Sequence, residues 1–159
     1  MPPQDFFNIN PDVPAEEPKE SLEERFSKER IKWGEKVATM SGKMKNVLAV
    51  SELMTEVYTE RQICLEYYHY LISILIKINR KYRYSYDERW LYWSYKSNIK
   101  YPNAGALNNK IQTELADLLE KRELIENHSK FILRTIETVD NLIYAIPKRI
   151  EVEQISRGK

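Results

Sequence analysis

The sequence predicts an all-α protein. Two long stretches carry apolar residues at alternating spacings of three and four, a capping box marks a helix start ahead of them, and glycine occurs only four times in 159 residues. Alternation of that kind places one side of each segment against a partner helix. A sandwich or barrel would need more turn residues than the chain supplies.

Residues 1–20 hold Pro2, Pro3, Pro11, Pro14 and Pro18 together with Asp5, Asp12, Glu16, Glu17 and Glu20. Prolines block helix and the acids repel one another, so the segment reads as a disordered, acidic, proline-rich arm. Its one apolar spot is "DFFNI", Asp5 to Ile9, which is either plain tail or a short docking peptide. Ser21 and Glu24 then form the capping box, so a helix begins there. Gly34 and Gly42 weaken that helix and predict a break, giving a broken helix over 21–46.

A long helix is expected over 47–84. Its seam runs Val47, Val50, Met54, Val57, Arg61, Cys64, Tyr68, Leu71, Leu75, Ile78 and Tyr82, with Leu53, Ile63, Leu65, Tyr67 and Ile72 widening the stripe. Residues 85–106 form an aromatic and basic connector closed by the turn signal "PNAG". A second long helix is expected over 107–146, with the seam Ile111, Leu115, Leu118, Arg122, Ile125, Ser129, Ile132, Ile136, Val139, Ile143, Ile146 and Ile150. Pro147 is expected to end or kink it, leaving a short C-terminal helix over 148–157. The resulting architecture is a long antiparallel helical hairpin, or coiled coil, behind a disordered arm. The stripes are wide and carry polar members, which points to assembly as a homo-oligomer through Arg61, Leu118, Arg122, Ile125, Ile132, Ile136, Val139 and Ile143. A monomeric bundle is the simpler alternative.

Composition narrows the function classes. Net charge is only +1, so a polyanion site must come from local clustering. Cys64 is the sole cysteine, which excludes an intrachain disulfide and suits a reducing cytosol. "MPPQDFFNIN" has neither the basic nor the apolar region of a secretory leader. The most apolar run, Tyr70 to Ile78, is less than half of the ~20 residues a spanning helix requires. The expectation is a cytoplasmic protein with no membrane contact.

Clustering is what "NRKYRYSYDERWLYWSYKSNIKYP", Asn79 to Pro102, supplies. Lys77, Arg80, Lys81, Arg83, Arg89, Lys96 and Lys100 face only Asp87 and Glu88, and Tyr82, Tyr84, Tyr86, Trp90, Tyr92, Trp93, Tyr95 and Tyr101 lie among them. Cations track phosphates, and flat rings stack on unpaired bases. Duplex DNA hides its base faces, so the mixture favours a single strand. The candidate DNA-binding residues are Lys77, Arg80, Lys81, Tyr82, Arg83, Tyr84, Tyr86, Arg89, Trp90, Trp93, Lys96 and Lys100. Tyrosines beside basic residues also make protein interfaces, and the tryptophans can plug the end of a bundle.

Catalytic signatures are missing. Glu66-x-x-His69 is half of a di-iron motif, and His128 follows Glu126 at the wrong spacing for the other half. There is no glycine-rich phosphate loop. Cys64 sits on the seam as a small core residue. No enzyme, metal or cofactor is expected.

A seam helix, then Lys81-x-Arg83 with Tyr86 just after, then a turn and a second long helix ending in "IPKRIEVEQISRGK", resembles the UvsY-like recombination mediators of T4-like bacteriophages. The similarity spans roughly Val47 to Lys159 and includes Ile146, Lys148, Ile150 and the closing Gly158-Lys159. The aromatic run is richer than that family's loop, and the arm is an extension. The resemblance implies a ring-shaped homo-oligomer in the bacterial host cytoplasm. It would bind single-stranded DNA, loosen the single-strand-binding protein and help load the phage recombinase, without catalysis. Lys81, Arg83 and Tyr86 would lie near the DNA. The alternative is a non-enzymatic phage structural or assembly adaptor that uses its seams and rings for protein contacts.

Overall fold

The computed structural model describes residues 20–46 and 49–158, and they are all-helical. The acidic arm over 1–19 and seam residue Val47 lie outside the described residues. Helix α1 spans Leu22–Lys43, α2 Val50–Leu91, α3 Ala104–Glu114 and α4 Ala116–Arg157. A π-helical turn, Tyr92–Lys96, extends α2. The chain divides into two compact units. Unit one holds the residues up to Tyr70 and from His128 onward; unit two is Leu71–Asn127.

α1 begins at the capping box. The Glu24 N–H donates to Ser21 Oγ at 3.2 Å, and the Ser21 N–H donates to the Glu24 carboxylate at 3.1 Å. Contrary to the broken helix expected over 21–46, α1 runs unbroken through Gly34 and ends just after Gly42. Phe26, Trp33 and Met40 recur every seven residues and are all buried, so one continuous apolar face offsets the glycine cost.

In unit one, Met40 of α1 packs with Val50, Leu53 and Val57 of α2 and with Val139 and Ile146 of α4. Arg61–Asp140 and Tyr67–His128 contacts follow opposite order along α2 and α4, so the two helices run antiparallel within this unit. The buried positions of α2 are Val50, Leu53, Val57, Cys64, Tyr67, Leu71, Ile74 and Ile78. The expected seam therefore holds at every seventh residue and is off by one between: Leu53, Tyr67 and Ile74 are buried, and Met54, Tyr68 and Leu75 are half-buried. α1 explains the difference in unit one. It lies on the Leu53 and Tyr67 side, where Lys36 pairs with Glu60 at 2.7 Å. Cys64 is a core residue, its thiol pushed up to about 12 by burial.

Toward the start of α1 the core turns polar. Glu29 of α1 is 5% exposed, and its carboxylate collects donors from three helices. The Tyr67 hydroxyl of α2 donates to Oε2 at 2.6 Å, His128 Nε2 of α4 donates to the same oxygen at 2.8 Å, and Arg25 Nε donates to Oε1 at 3.3 Å. Nε2 carries the proton because it faces a carboxylate. The His128 ring stacks on Phe26 at 4.0 Å between centroids and is fully buried; its Nδ1 has no hydrogen-bond partner.

α4 corrects a second expectation. It continues from Ala116 to Arg157 with Pro147 inside, so residues 107–146 and 148–157 are not two helices separated at the proline. Ile146 is fully buried, and Ile150 packs on the same core from the far side of Pro147. That anchorage on both sides outweighs one lost backbone bond. The discontinuity falls earlier, at Leu115, whose φ of −102° and ψ of 14° separate α3 from α4.

In unit two, Leu107, Ile111 and Leu115 form the core, with Tyr82, Tyr86, Trp93 and Tyr101 packed against it. Asn103 caps α3, its Oδ1 accepting from the Ala106 N–H at 2.8 Å, where "PNAG" predicts a turn.

Gly34 has open space around its Cβ position. Gly34→Ala should therefore raise stability by about 0.5–1 kcal/mol, read as a higher urea midpoint. A lower midpoint would mean that α1 is not continuous there.

Burial pushes the Glu29 carboxyl up, but the hydrogen bonds from His128 and Tyr67 and the nearby positive charge outweigh it and hold the group below its ordinary 4.5. A depressed folded value stabilises above the unfolded value and is lost as pH falls through the folded one. Stability from urea melts between pH 7 and 3 should thus fall below about pH 4.5, and fall less steeply in Glu29→Gln. Equal slopes would remove Glu29 from that role.

Candidate nucleic-acid interface

The end of α2 sorts its rings into two sets. Leu71, Ile74 and Ile78 point into the chain, and Tyr82 and Tyr86 follow at four-residue steps on the same side. Both are half-buried, with centroids 6.0 Å apart. The Tyr86 hydroxyl donates to Asn108 Oδ1 of α3 at 3.0 Å. Arg122 of α4 lies over the Tyr82 ring at 5.6 Å.

The π turn brings a third ring inward. Ser97 N–H donates to the Tyr92 carbonyl at 2.9 Å, closing the wide turn. Within it, Trp93 Nε1 donates to Glu114 of α3 at 3.3 Å, its ring meets Tyr101 edge-on at 5.8 Å, and Lys110 Nζ sits 5.3 Å from the ring centroid. Glu114 also pairs with Lys110 at 3.1 Å and Arg89 at 3.6 Å. Desolvation opposes its ionisation, but the Lys110 and Trp93 hydrogen bonds and these charges hold its carboxyl below the ordinary range.

Tyr82, Tyr86 and Trp93, singled out from sequence for stacking, are half-buried and pack against Leu107, Ile111 and Leu115, and two of them are tied by polar bonds. The outward set is Tyr84, 73% exposed, Trp90, Tyr92 and Tyr95, 75% exposed, with Leu91 and Ile99 beside them in sequence. Trp90 and Tyr95 meet edge-on at 5.9 Å. Lys77, Arg80, Lys81, Arg83, Arg89, Lys96 and Lys100 are all exposed, as are Asp87 and Glu88.

Lys77, Arg80, Tyr84, Asp87 and Leu91 step by three and four along α2, so they share one outward side. Lys81 and Arg83 are two apart and diverge by roughly 200° around the helix axis, so the Lys-x-Arg pair does not present as a unit. Arg80 and Arg83, three apart, do. The residues singled out from sequence omit Tyr92 and Tyr95; the exposure of Tyr95 depends on the π turn, which no residue pattern signals.

The expected oligomer-interface residues are largely used inside the chain. Ile125, Ile132, Ile136 and Val139 are buried in it, Arg61 pairs with Asp140 at 2.5 Å, and Arg122 covers Tyr82. Leu118 and Ile143 are half-buried.

Among the described residues, no group of three or more His, Cys, Asp or Glu side chains is arranged to hold a metal ion. Glu66 instead accepts from Gln62 at 3.0 Å, and exposed His69 meets Tyr68 edge-on. Among the same residues, no helix is long and apolar enough to cross a membrane. Compared with family models, curated proteins and solved structures, the chain matches none, so nothing in these comparisons identifies a UvsY-like protein.

The two sets of rings separate by stability. Trp93→Ala should cost at least ~2 kcal/mol through lost packing, whereas Tyr95→Ala should stay within about 0.5 kcal/mol of wild type in the same melts. Similar losses would show that the exposed rings are structural too.

Proposed function

We propose that the chain is a single-stranded-DNA-binding recombination mediator that works without catalysis. One observation carries the reading: the outward side of α2 and the turn after it exposes Tyr84, Trp90 and Tyr95 among Arg80, Arg83, Lys96 and Lys100. Exposed rings offer stacking to unpaired bases, and the cations offer a track for phosphates. Asp87 on the same side disfavours tight phosphate contact at its own position and divides the surface into a basic segment and an aromatic one.

In this reading α2 and α4 form the long antiparallel hairpin of a coiled-coil scaffold, and several copies assemble so that a weak strip is repeated and gains avidity. The side chains available for assembly are those left outward on α4: Leu133, Tyr144, Val152 and Ile155. Leu133, Tyr144 and Ile155 recur every eleven residues, three helical turns, and so lie on one line. The partners are a phage recombinase and single-strand-binding protein in the bacterial cytoplasm, as in UvsY-like proteins. Exposed Leu91 and Ile99 beside the rings favour a second reading, a phage assembly adaptor whose aromatic surface binds protein.

Titration with labelled oligothymidine distinguishes the two. A mediator binds below micromolar at low salt, with log affinity falling by roughly 0.7 per phosphate contact against log salt. Arg80→Ala/Arg83→Ala should flatten that slope, and Tyr84→Ala or Tyr95→Ala should each cost about 1–3 kcal/mol of binding. Absence of binding at low salt would end the DNA reading and leave the adaptor. Light scattering should report a multimer that Tyr144→Arg/Ile155→Glu dissociates; a monomeric wild type would remove the assembly.

A further inference from the structure

We infer that Asp87 reads the base edge of a bound strand, so that this surface selects single-stranded DNA containing guanine over oligothymidine; the selectivity rests on the reading of the surface as a DNA site. Position is the first argument. Tyr84 and Trp90 are exposed on α2 and set about 9 Å apart along its axis and about 120° around it. Asp87 is exposed midway between them, about 60° around from each. Arg80 and Arg83 point into the same sector. Glu88 lies about 100° beyond Asp87, on the side of Lys81 and outside that sector.

Unused capacity is the second argument. Glu29 and Glu114 spend their oxygens on donors within the protein, whereas Asp87 makes no hydrogen bond or ion pair among the described residues. Arg83, one turn before it, leaves it unpaired, and Arg89 turns instead to Glu114. The flanking rings carry no cation either. Among the described residues, lysine and arginine heads lie over Trp33, Tyr82 and Trp93, and over neither Tyr84 nor Trp90.

Chemistry is the third. A ring on each side takes its own base, and the arginines take the phosphates. A carboxylate only accepts, so it needs a donor from the strand, and in a single strand the Watson–Crick edges are free to supply one. Cytosine and adenine offer an amine next to a ring nitrogen that accepts, and thymine offers one N–H between two carbonyl oxygens. Each of these sets a lone pair against the second carboxylate oxygen. Guanine alone offers two adjacent donors, N1–H and the N2 amine, which match both oxygens of Asp87.

The test uses the full chain and two labelled strands, oligothymidine and the same strand with every third base replaced by guanine. Wild type should bind the guanine strand about tenfold more tightly, within what one bidentate base contact discriminates. Asp87→Asn places an amide N–H₂ against the guanine donors and should bring the ratio of the two affinities close to one. Glu88→Gln removes the same charge one residue on and should keep the tenfold ratio. Equal wild-type affinity for the two strands overturns the inference while leaving the DNA site intact. A uniform gain in Asp87→Asn with the ratio retained makes Asp87 a mere charge and overturns it too, as does a ratio lost in Glu88→Gln instead. If no strand binds at low salt, the DNA reading fails and the selectivity falls with it.

Modified bases separate Asp87 from its arginine neighbours, since arginine reads guanine through O6 and N7. Deoxyinosine in place of guanine lacks the N2 amine but keeps O6 and N7, and it should remove most of the preference. 7-Deazaguanine lacks N7 but keeps both Watson–Crick donors, and it should retain the preference. The opposite pair of results would assign the selectivity to Arg80 or Arg83 and overturn the role of Asp87.

Discussion

Burial of Ile74 and Ile78 fixes the rotation of α2, and every side chain after them inherits it. An α-helix has no freedom to turn one residue in and its four-on neighbour out. With those isoleucines inward, Tyr82 and Tyr86 are directed onto Leu107 and Ile111, while Arg80, Arg83 and Tyr84 are directed to solvent. The candidate surface is thus not an independent patch. It is the complement of a packing decision made one or two turns upstream, and the same rings in a loop would have had no such sorting.

Each unit also centres its polar contacts on one carboxylate. Glu29 in unit one receives Tyr67, His128 and Arg25; Glu114 in unit two receives Trp93, Lys110 and Arg89. In both cases one donor comes from the acid's own helix and others arrive from elsewhere along the chain. A hydrophobic stripe tolerates sliding by a turn, because Leu and Ile resemble each other along it. A buried acid with fixed donors does not, since a displaced partner would leave a polar group without one. This selectivity is the better account of why unit one carries a charge in its core, given that an apolar substitute costs less to bury.

Much of this was legible in the residues, and the rest fails for definable reasons. The capping box and the turn before α3 follow from local chemistry and are present, and the second seam is buried on α4 at Ile125, Ser129, Ile132, Ile136, Val139 and Ile146, with Leu118, Arg122, Ile143 and Ile150 half-buried. The α2 seam is half legible: positions 50, 57, 64, 71 and 78 are right because they recur under either alternation, while the intervening set depends on where a third helix lies. Glu29 and His128 were missed because a buried ion reads as a solvated one until its partners, 38 and 99 residues away, are brought together. Pro147 misled because local propensity ignores anchorage by Ile146 and Ile150. For the surface, the residue types announced cations and rings, but not which rings the core would consume.

The wide turn at Tyr92–Lys96 has absorbed one residue more than an α-helical turn holds. What has been inserted can be removed: a single-codon deletion within those five positions would restore ordinary winding and swing everything after it by about a quarter revolution. The Trp93–Glu114 bond, made from within that turn, depends on this winding. The chain thereby carries a frame-preserving route by which an indel, with no substitution at all, exchanges which aromatics meet the solvent.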